Sequence, residues 1–311
     1  MVNTIKEIAY LCLIFGINLY ICSYLNNKLI ARMEFRRGYV TPGVRGFTYP
    51  VLKLFKYLSK DYKLNIWEFF IFLFSFLIWS IIPITATLVI VDIDFSLIAA
   101  AVSYIMLLLL NFICASRTSY NFIFSQAAKK VGTLLTFVIP VLINIVSVVL
   151  INKTLSLKVI VNFQYNFWNI VYQPLGFLIF FISILLQLKL MGISKRNTFL
   201  FTENIDKEGR GMGRAISRFS SYTILFFLIV ILIILYLGGW QNIYFIRGEI
   251  IFALKFYVIF IVLLLLDRAT PGLDSYKYLI GINWRFLIPV SIVNLILTIA
   301  FLVFRNMYSF I

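Results

Sequence analysis

The sequence predicts an all-α polytopic membrane protein with about eight transmembrane helices and an amphipathic in-plane helix after the first span. Of its 311 residues, 62% are hydrophobic, and the mean hydropathy is +0.98. Apolar runs of about 20 residues, the length that crosses a bilayer, recur along the whole chain. Most of the 28 Lys and Arg residues lie in alternate connections between these runs. We therefore predict a single membrane domain over residues 1–311.

The apolar runs define eight spans, each close to the length of one bilayer crossing. They cover residues 5–25, 66–91, 95–115, 131–151, 167–188, 216–237, 250–266 and 286–304. The connections after the first, third, fifth and seventh spans are basic, which by the positive-inside rule places both termini on the outer side. The net charge of +16 is then inside-loop charge that faces an anionic leaflet, and nucleic acid is not an expected partner.

The first basic loop, residues 26–64, has two parts. Its first half carries residues that permit tight turns, namely Gly38, Pro42, Gly43 and Gly46. Its second half places apolar residues at helical spacing, with lysines between them: Val51, Leu54, Phe55 and Leu58 with Lys53, Lys56 and Lys60. This pattern, beginning at Pro50, predicts a helix that lies in the membrane interface. Two interpretations remain open: a loop that only sets topology, or an ordered functional loop.

A second long basic loop, residues 189–215 after the fifth span, mixes both charges. It holds Glu203, Asp206 and Glu208 beside Lys207, Arg210 and Arg214. A solvated mixed-charge loop is one interpretation, and a folded loop that packs against the first and shapes a polar chamber is the other.

Several kinds of chemistry are excluded by composition. The chain has no histidine, and its three cysteines, Cys12, Cys22 and Cys114, lie in or beside apolar runs without CxxC spacing. We therefore expect no zinc, haem or iron–sulfur site in this chain. Nucleophile systems that pair serine or cysteine with histidine are excluded as well.

The first basic loop resembles one family, that of chain 1 of NADH:quinone oxidoreductase, respiratory complex I, whose bacterial form is called H. Members carry an ERK…MxLRKGPNxVGPxG…P…K…KE pattern after the first span. The residues here that fall in register are Lys28, Met33, Arg36, Arg37, Gly38, Gly43, Gly46, Pro50, Lys56 and Lys60, with Asp61 in place of a glutamate.

Later segments match in the same order. Glu208, Gly211 and Met212 resemble a family segment in the second basic loop, and Gln173 and Pro174 resemble the start of its fifth span. The stretch from Arg268 to Pro289 resembles the family's RATLPR…W motif. The resemblance thus runs over nearly the whole chain and agrees with the eight predicted spans.

The resemblance implies a membrane-arm subunit that helps to form the quinone-binding chamber. It also implies that quinone reduction by NADH is coupled to proton translocation in the complex. Quinone is then the substrate, while NADH, FMN and iron–sulfur clusters belong to partner subunits, and this chain binds no cofactor and is not catalytic alone. The implied partners are the other membrane and peripheral-arm subunits and phospholipids. The expected location is the mitochondrial inner membrane, or alternatively the bacterial plasma membrane.

The resemblance also assigns roles to individual residues. Arg36, Arg37 and Arg268 would provide positive potential near the chamber, and Gly38, Gly43 and Gly46 would set the fold of the loop. Lys56, Lys60 and Asp61 would anchor the in-plane helix, and Glu208 would be the surviving acid of the second basic loop.

The family's intramembrane acids are largely replaced. Neutral polar residues stand at or near their positions: Asn26, Thr136, Gln187, and Ser221 beside Tyr222. Such groups order water, but they supply no titratable carboxylate. The sequence therefore leaves open whether a proton path runs through this chain. Two other functions also remain open: the membrane subunit of an energy-converting hydrogenase, and a non-catalytic scaffold or transporter.

Overall fold

A computed structural model describes residues 2–38, 46–60, 65–85, 88–116, 121–193, 211–242, 246–270 and 276–308. Gly43, Asp61 and Glu208, which the sequence assigned to the site, lie outside these residues. The described chain is α-helical. In order, the helices are α1 (Val2–Met33), α2 (Tyr49–Leu58), α3 (Ile66–Ile81), α4 (Ser96–Ser116), α5 (Asn121–Asn152), α6 (Leu157–Phe163), α7 (Asn169–Tyr172), α8 (Pro174–Met191), α9 (Met212–Tyr236), α10 (Gly248–Ala269), α11 (Tyr276–Ile282) and α12 (Ile288–Tyr308), with a π-helical segment, Asn283–Leu287, joining α11 to α12.

Within the described residues, seven helical stretches are long and apolar enough to cross a membrane. They are Lys6–Met33, Ser96–Cys114, Ala128–Asn152, Pro174–Met191, Met212–Tyr236, Gly248–Ala269 and Tyr276–Arg305. They correspond to seven of the eight predicted spans. The other predicted span, residues 66–91, is represented by α3, an apolar helix of 16 residues. The prediction of an all-α polytopic membrane protein is confirmed.

Two spans were predicted to extend beyond the observed helix, and a proline explains each. The second span was expected to reach residue 91, but α3 ends at Ile81 because Ile82, which precedes Pro83, is extended (φ −84°, ψ 123°). The fifth span was expected to begin at residue 167. Instead, Gln173 is non-helical, with ψ 65°, and α8 begins at Pro174, a position where proline suits the first helical turn.

Helix α9 is the centre of the bundle. Every residue from Thr223 to Tyr236 is buried, and the helix packs against α2, α3, α4, α6, α8 and α10. A helix that is apolar on all sides and enclosed by others forms a core. The outer helices α1, α4, α10 and α12 expose large apolar side chains, which is the expected surface toward lipid hydrocarbon.

The helix predicted after Pro50 is confirmed as α2. It packs against α1 and α9, has no buried residue, and exposes Val51, Leu54, Phe55 and Leu58. The first helix extends further than expected, to Met33, so residues 26–33 are helical rather than part of the loop. This extension carries Asn26 and Ile30 alongside α2 and α9.

Candidate functional site

A cavity of about 570 Å³ lies between α1, α2, α3, α9 and the end of α8. We call it the cationic cavity. Its polar lining consists of Ser23, Asn26, Asn27, Arg36, Lys53, Tyr57, Arg218, Ser221 and Tyr222. Apolar residues complete the wall, among them Leu19, Ile30, Leu54, Leu58, Phe72, Ile193 and Phe219. No Asp or Glu occurs among the described residues of this lining, so the cavity has an excess of positive charge.

One face of α2 supplies part of the wall. Pro50, Lys53 and Tyr57 lie at helical spacing and point toward the cavity. Desolvation, followed by the charges of Arg218 and Arg214, lowers the pKa of Lys53 to about 8. The Lys53 ammonium is thus a cation that loses its proton at mildly alkaline pH, above about pH 8.

The end of α1 explains how Arg36 reaches the cavity. The amide of Phe35 donates to the carbonyl of Arg32 (3.1 Å) and that of Arg36 to the carbonyl of Ala31 (2.9 Å). Together with the left-handed φ of Phe35 (54°), these bonds form a Schellman motif. The chain therefore turns back along α1 immediately after Met33.

Arg36 is linked to Arg268 through one carboxylate. The Arg36 guanidinium pairs with Glu34, and the other Glu34 oxygen lies 2.6 Å from Nη2 of Arg268. Glu34 therefore bridges Arg36 at the cavity to Arg268 at the end of α10. The sequence-predicted Arg36 and Arg268 are thus brought together, although only Arg36 lines the cavity.

The α1–α9 side of the cavity carries neutral polar groups. The Asn26 amide donates to the Ile193 carbonyl (2.8 Å) and to the Tyr222 hydroxyl (3.4 Å). Its carbonyl oxygen, Oδ1, is buried and has no hydrogen-bond partner among the described atoms. The Ser221 hydroxyl donates to the Ser217 carbonyl (3.0 Å). Three of the predicted polar-path residues, Asn26, Ser221 and Tyr222, thus meet at this cavity.

The two remaining predicted polar-path residues, Gln187 and Thr136, lie elsewhere. Gln187 of α8 accepts a hydrogen bond from the Tyr104 hydroxyl in the interior of the bundle. The Thr136 carbonyl of α5 accepts one from the Asn283 amide at 2.8 Å, within the π-helical segment. Neither residue lines the cationic cavity.

The other predicted loop residues that the structure describes do not line the cavity. Gly38 has φ 68°, and a Cβ there would lie 2.9 Å from the Ala31 Cβ, so glycine is required where the loop meets α1. Gly46 also has a positive φ, 74°. Lys56 and Lys60 are exposed, and Arg37 follows the turn after α1.

Sequence reasoning missed two kinds of residue. Lys53 and Arg218 were counted only as loop charge, although the spacing of Pro50, Lys53 and Tyr57 was a usable signal for one helix face. A buried polar cluster in the bundle was also missed: Asn144, Ser147, Gln173 and Asn294, linked by contacts of 3.1–3.4 Å. Its signal was polar side chains at i, i+3 spacing within an apolar span.

A second cavity, of about 540 Å³, lies between α1, α10 and the region after α3. It contains no Lys or Arg and is lined mainly by apolar residues such as Leu11, Phe15 and Phe252. We therefore assign the candidate site to the cationic cavity. No group of three or more His, Cys, Asp or Glu residues that could hold a metal occurs in the described part of the chain.

This chain is similar to known proteins over most of its length. The family model described as NADH dehydrogenase matches residues 6–299. An H-type subunit of the NADH-quinone oxidoreductase of Rhizobium etli is 26% identical over 304 residues, covering 89% of this chain and 87% of the relative. The H-type subunit of Brevibacillus brevis is 26% identical, covering 97% and 94%. That of Geobacillus thermodenitrificans is 32% identical, covering 55% and 52%.

Proposed function

Because the chain belongs to the NADH dehydrogenase family, we propose that it is the membrane subunit of an NADH:quinone oxidoreductase whose cationic cavity receives the quinone head group. The Rhizobium and Brevibacillus relatives, which match most of its length, are bacterial, and this favours the bacterial plasma membrane over the mitochondrial location. The chain would act with partner subunits that carry NADH, FMN and iron–sulfur clusters.

One observation carries the proposal: a cavity of about 570 Å³ that joins a cationic wall to an apolar one. Its size is that of a small-molecule site. A quinone has the same two parts, a head with two carbonyl acceptors and an apolar prenyl chain. Arg36, Lys53 and Arg218 are donors for the carbonyls, while Leu54, Leu58 and Phe72 suit the chain.

Positive charge at the head group also suits the chemistry. Electrons that arrive from a partner subunit place negative charge on the quinone oxygens before those oxygens are protonated. Preorganised cations stabilise charge that develops during a reaction, particularly where water is excluded. The role proposed for this chain is therefore to bind the quinone and stabilise its reduced form, without an electron carrier of its own.

Coupling to proton translocation would use neutral polar groups near the cavity. Asn26, Ser221 and Tyr222 are suited to order water at its α1–α9 side, and the buried Asn26 oxygen is an acceptor for a water or quinol hydroxyl. Gln187 and Thr136 would continue the path within the bundle. Proton exchange with a carboxylate would then take place in other residues or in a partner subunit.

The test is quinone-linked turnover of the assembled complex carrying Arg36→Ala. Loss of a cationic donor should impair NADH:quinone turnover more than assembly, which native gels with NADH-dehydrogenase staining and mass spectrometry measure. Lys277→Met, which removes an exposed cation on the same side of the membrane, is the matched control. Normal turnover with short-chain and native quinones in assembled Arg36→Ala would contradict the proposal, as would co-purification with a nickel subunit in place of an NADH-oxidising one.

A further inference from the structure

A buried ion pair joins α8 to α10 at the basic-side end of the bundle. Lys189 Nζ lies 3.3 Å from Asp267 Oδ1, and the two side chains are 1% and 2% exposed. Lys189 also donates to the backbone carbonyls of Asp267 (3.1 Å) and Thr270 (2.6 Å). The ammonium therefore binds the last turn of α10, where a cation is favoured by both the free carbonyls and the helix dipole.

The last turn of α10, which Lys189 binds, is linked to the cavity through Arg268. Arg268 follows Asp267 in the same turn, and its guanidinium contacts Glu34 at 2.6 Å. Glu34 in turn pairs with Arg36, which lines the cationic cavity. Two sets of charged contacts, Lys189–Asp267 and Arg268–Glu34–Arg36, are thus joined by the peptide bond between Asp267 and Arg268 and connect the end of α8 to the cationic cavity.

We propose that Lys189 is a positioning residue for the quinone site. It fixes the end of α10, and with it Arg268, at the place where Arg268 holds Glu34 and Glu34 holds Arg36. Lys189 lines no part of the cavity, so it acts through the orientation of Arg36 and not by touching quinone. This inference rests on the proposed function of the cavity.

The chain offers a matched control at the other end of α10. Lys255 is also a lysine on a spanning helix that binds the end of a neighbouring helix, donating to the carbonyls of Leu237 (2.5 Å) and Gly239 (3.2 Å) at the end of α9. Its Nζ lies 4.6 Å from the centre of the Trp168 ring. It lies far along α10 from Arg268, so it shares the capping role without the link to Arg36.

The experiment compares Lys189→Met, Lys189→Arg and Lys255→Met in the assembled complex, measuring KM and kcat with a short-chain quinone. We expect Lys189→Met to raise KM about tenfold, the effect of weakening one charge-assisted hydrogen bond between Arg36 and the quinone. Lys189→Arg keeps the cation and should restore most of the affinity. Lys255→Met should leave KM within about twofold of the unmodified complex.

Equal KM changes in Lys189→Met and Lys255→Met would overturn the inference, because helix capping alone would then explain both. If Lys189→Met fails to assemble, Glu34→Gln removes the negative charge that Arg268 and Arg36 share, at a partly exposed position, and leaves the buried Lys189–Asp267 pair intact. It should also raise KM, and an unchanged KM would refute the positioning role.

Arg36→Ala separates failure of this inference from failure of the proposed function. A raised KM in Arg36→Ala, with no change in Lys189→Met or Glu34→Gln, would reject the positioning role alone. An unchanged KM in all three variants would reject the quinone site itself.

Discussion

Replacing Lys53 by Met removes one of the cations of the cavity and keeps most of the apolar stem of the side chain. Lys53 does not line the bundle core, and no residue of α2 is buried. The substitution should therefore leave assembly intact. Its effect on quinone turnover then reports on the positive charge rather than on packing.

The expected magnitude follows from the pKa and from the strength of a charged donor. A hydrogen bond from a charged group contributes about 1.5–3 kcal/mol, which corresponds to about a 10- to 150-fold loss in kcat/KM at pH 7. Because desolvation and Arg218 lower the pKa of Lys53 to about 8, its contribution is present below pH 8 and lost above it. The difference between the unmodified complex and Lys53→Met should therefore shrink toward pH 9.

The assay is steady-state NADH:quinone turnover between pH 6.5 and 9.5, with an artificial acceptor upstream of quinone to confirm intact NADH oxidation. Lys53→Arg, whose cation persists across this range, should lack the decline centred near pH 8. Lys277→Met again controls for loss of a basic-side cation. A Lys53→Met complex that keeps both the rate and the pH profile of the unmodified complex would refute this reasoning.

Three further substitutions test the packing and the backbone through the thermal midpoint of the assembled complex. Gly176→Ala would place a Cβ 2.8 Å from the Tyr236 hydroxyl and should destabilise the folded subunit by about 1–3 kcal/mol. Gly132→Ala, whose Cβ would have nothing within 4 Å, should not lower the midpoint. Equal midpoints for the two variants would contradict this expectation. Tyr104→Phe removes the donor to Gln187 and should cost about 1–3 kcal/mol, and an unchanged midpoint would mean that the bond contributes little. Phe35→Gly should raise the midpoint slightly, since a non-glycine residue in the left-handed conformation costs about 1–2 kcal/mol. The Phe35 side chain is fully exposed (101%), so its removal should lose no packing within the described chain. A clear fall in the midpoint would point to a contact of Phe35 in the complex.

The membrane fold was predictable because each span has its own characteristic length and hydropathy. The errors in the ends of the spans arose where local chemistry overrides hydropathy. The apolar run after Ile81 continues past Pro83, and that proline, not polarity, ends α3. The same holds at Pro174, where the run is apolar on both sides of the break.

The site was predictable only in part. Pattern and resemblance gave Arg36, Asn26, Ser221 and Tyr222, which the fold gathers at one cavity. Lys53 was visible only as loop charge, since its significance depends on which face of α2 meets α9.

The long-range ion pairs could not be predicted from the sequence. Lys189 and Asp267 are 78 positions apart, and nothing local indicates that they meet. Glu34 likewise acquires its bridging role only when the end of α10 is folded beside α1.

Photoaffinity labelling of the assembled complex with a photolysable quinone is the most direct test of the cationic cavity as the quinone site. We predict label on peptides from α2 and from the first half of α9, competed by excess quinone and weakened by Lys53→Met. Competed label confined to the apolar cavity beside Phe15 and Phe252, or absent from this chain, would contradict the account.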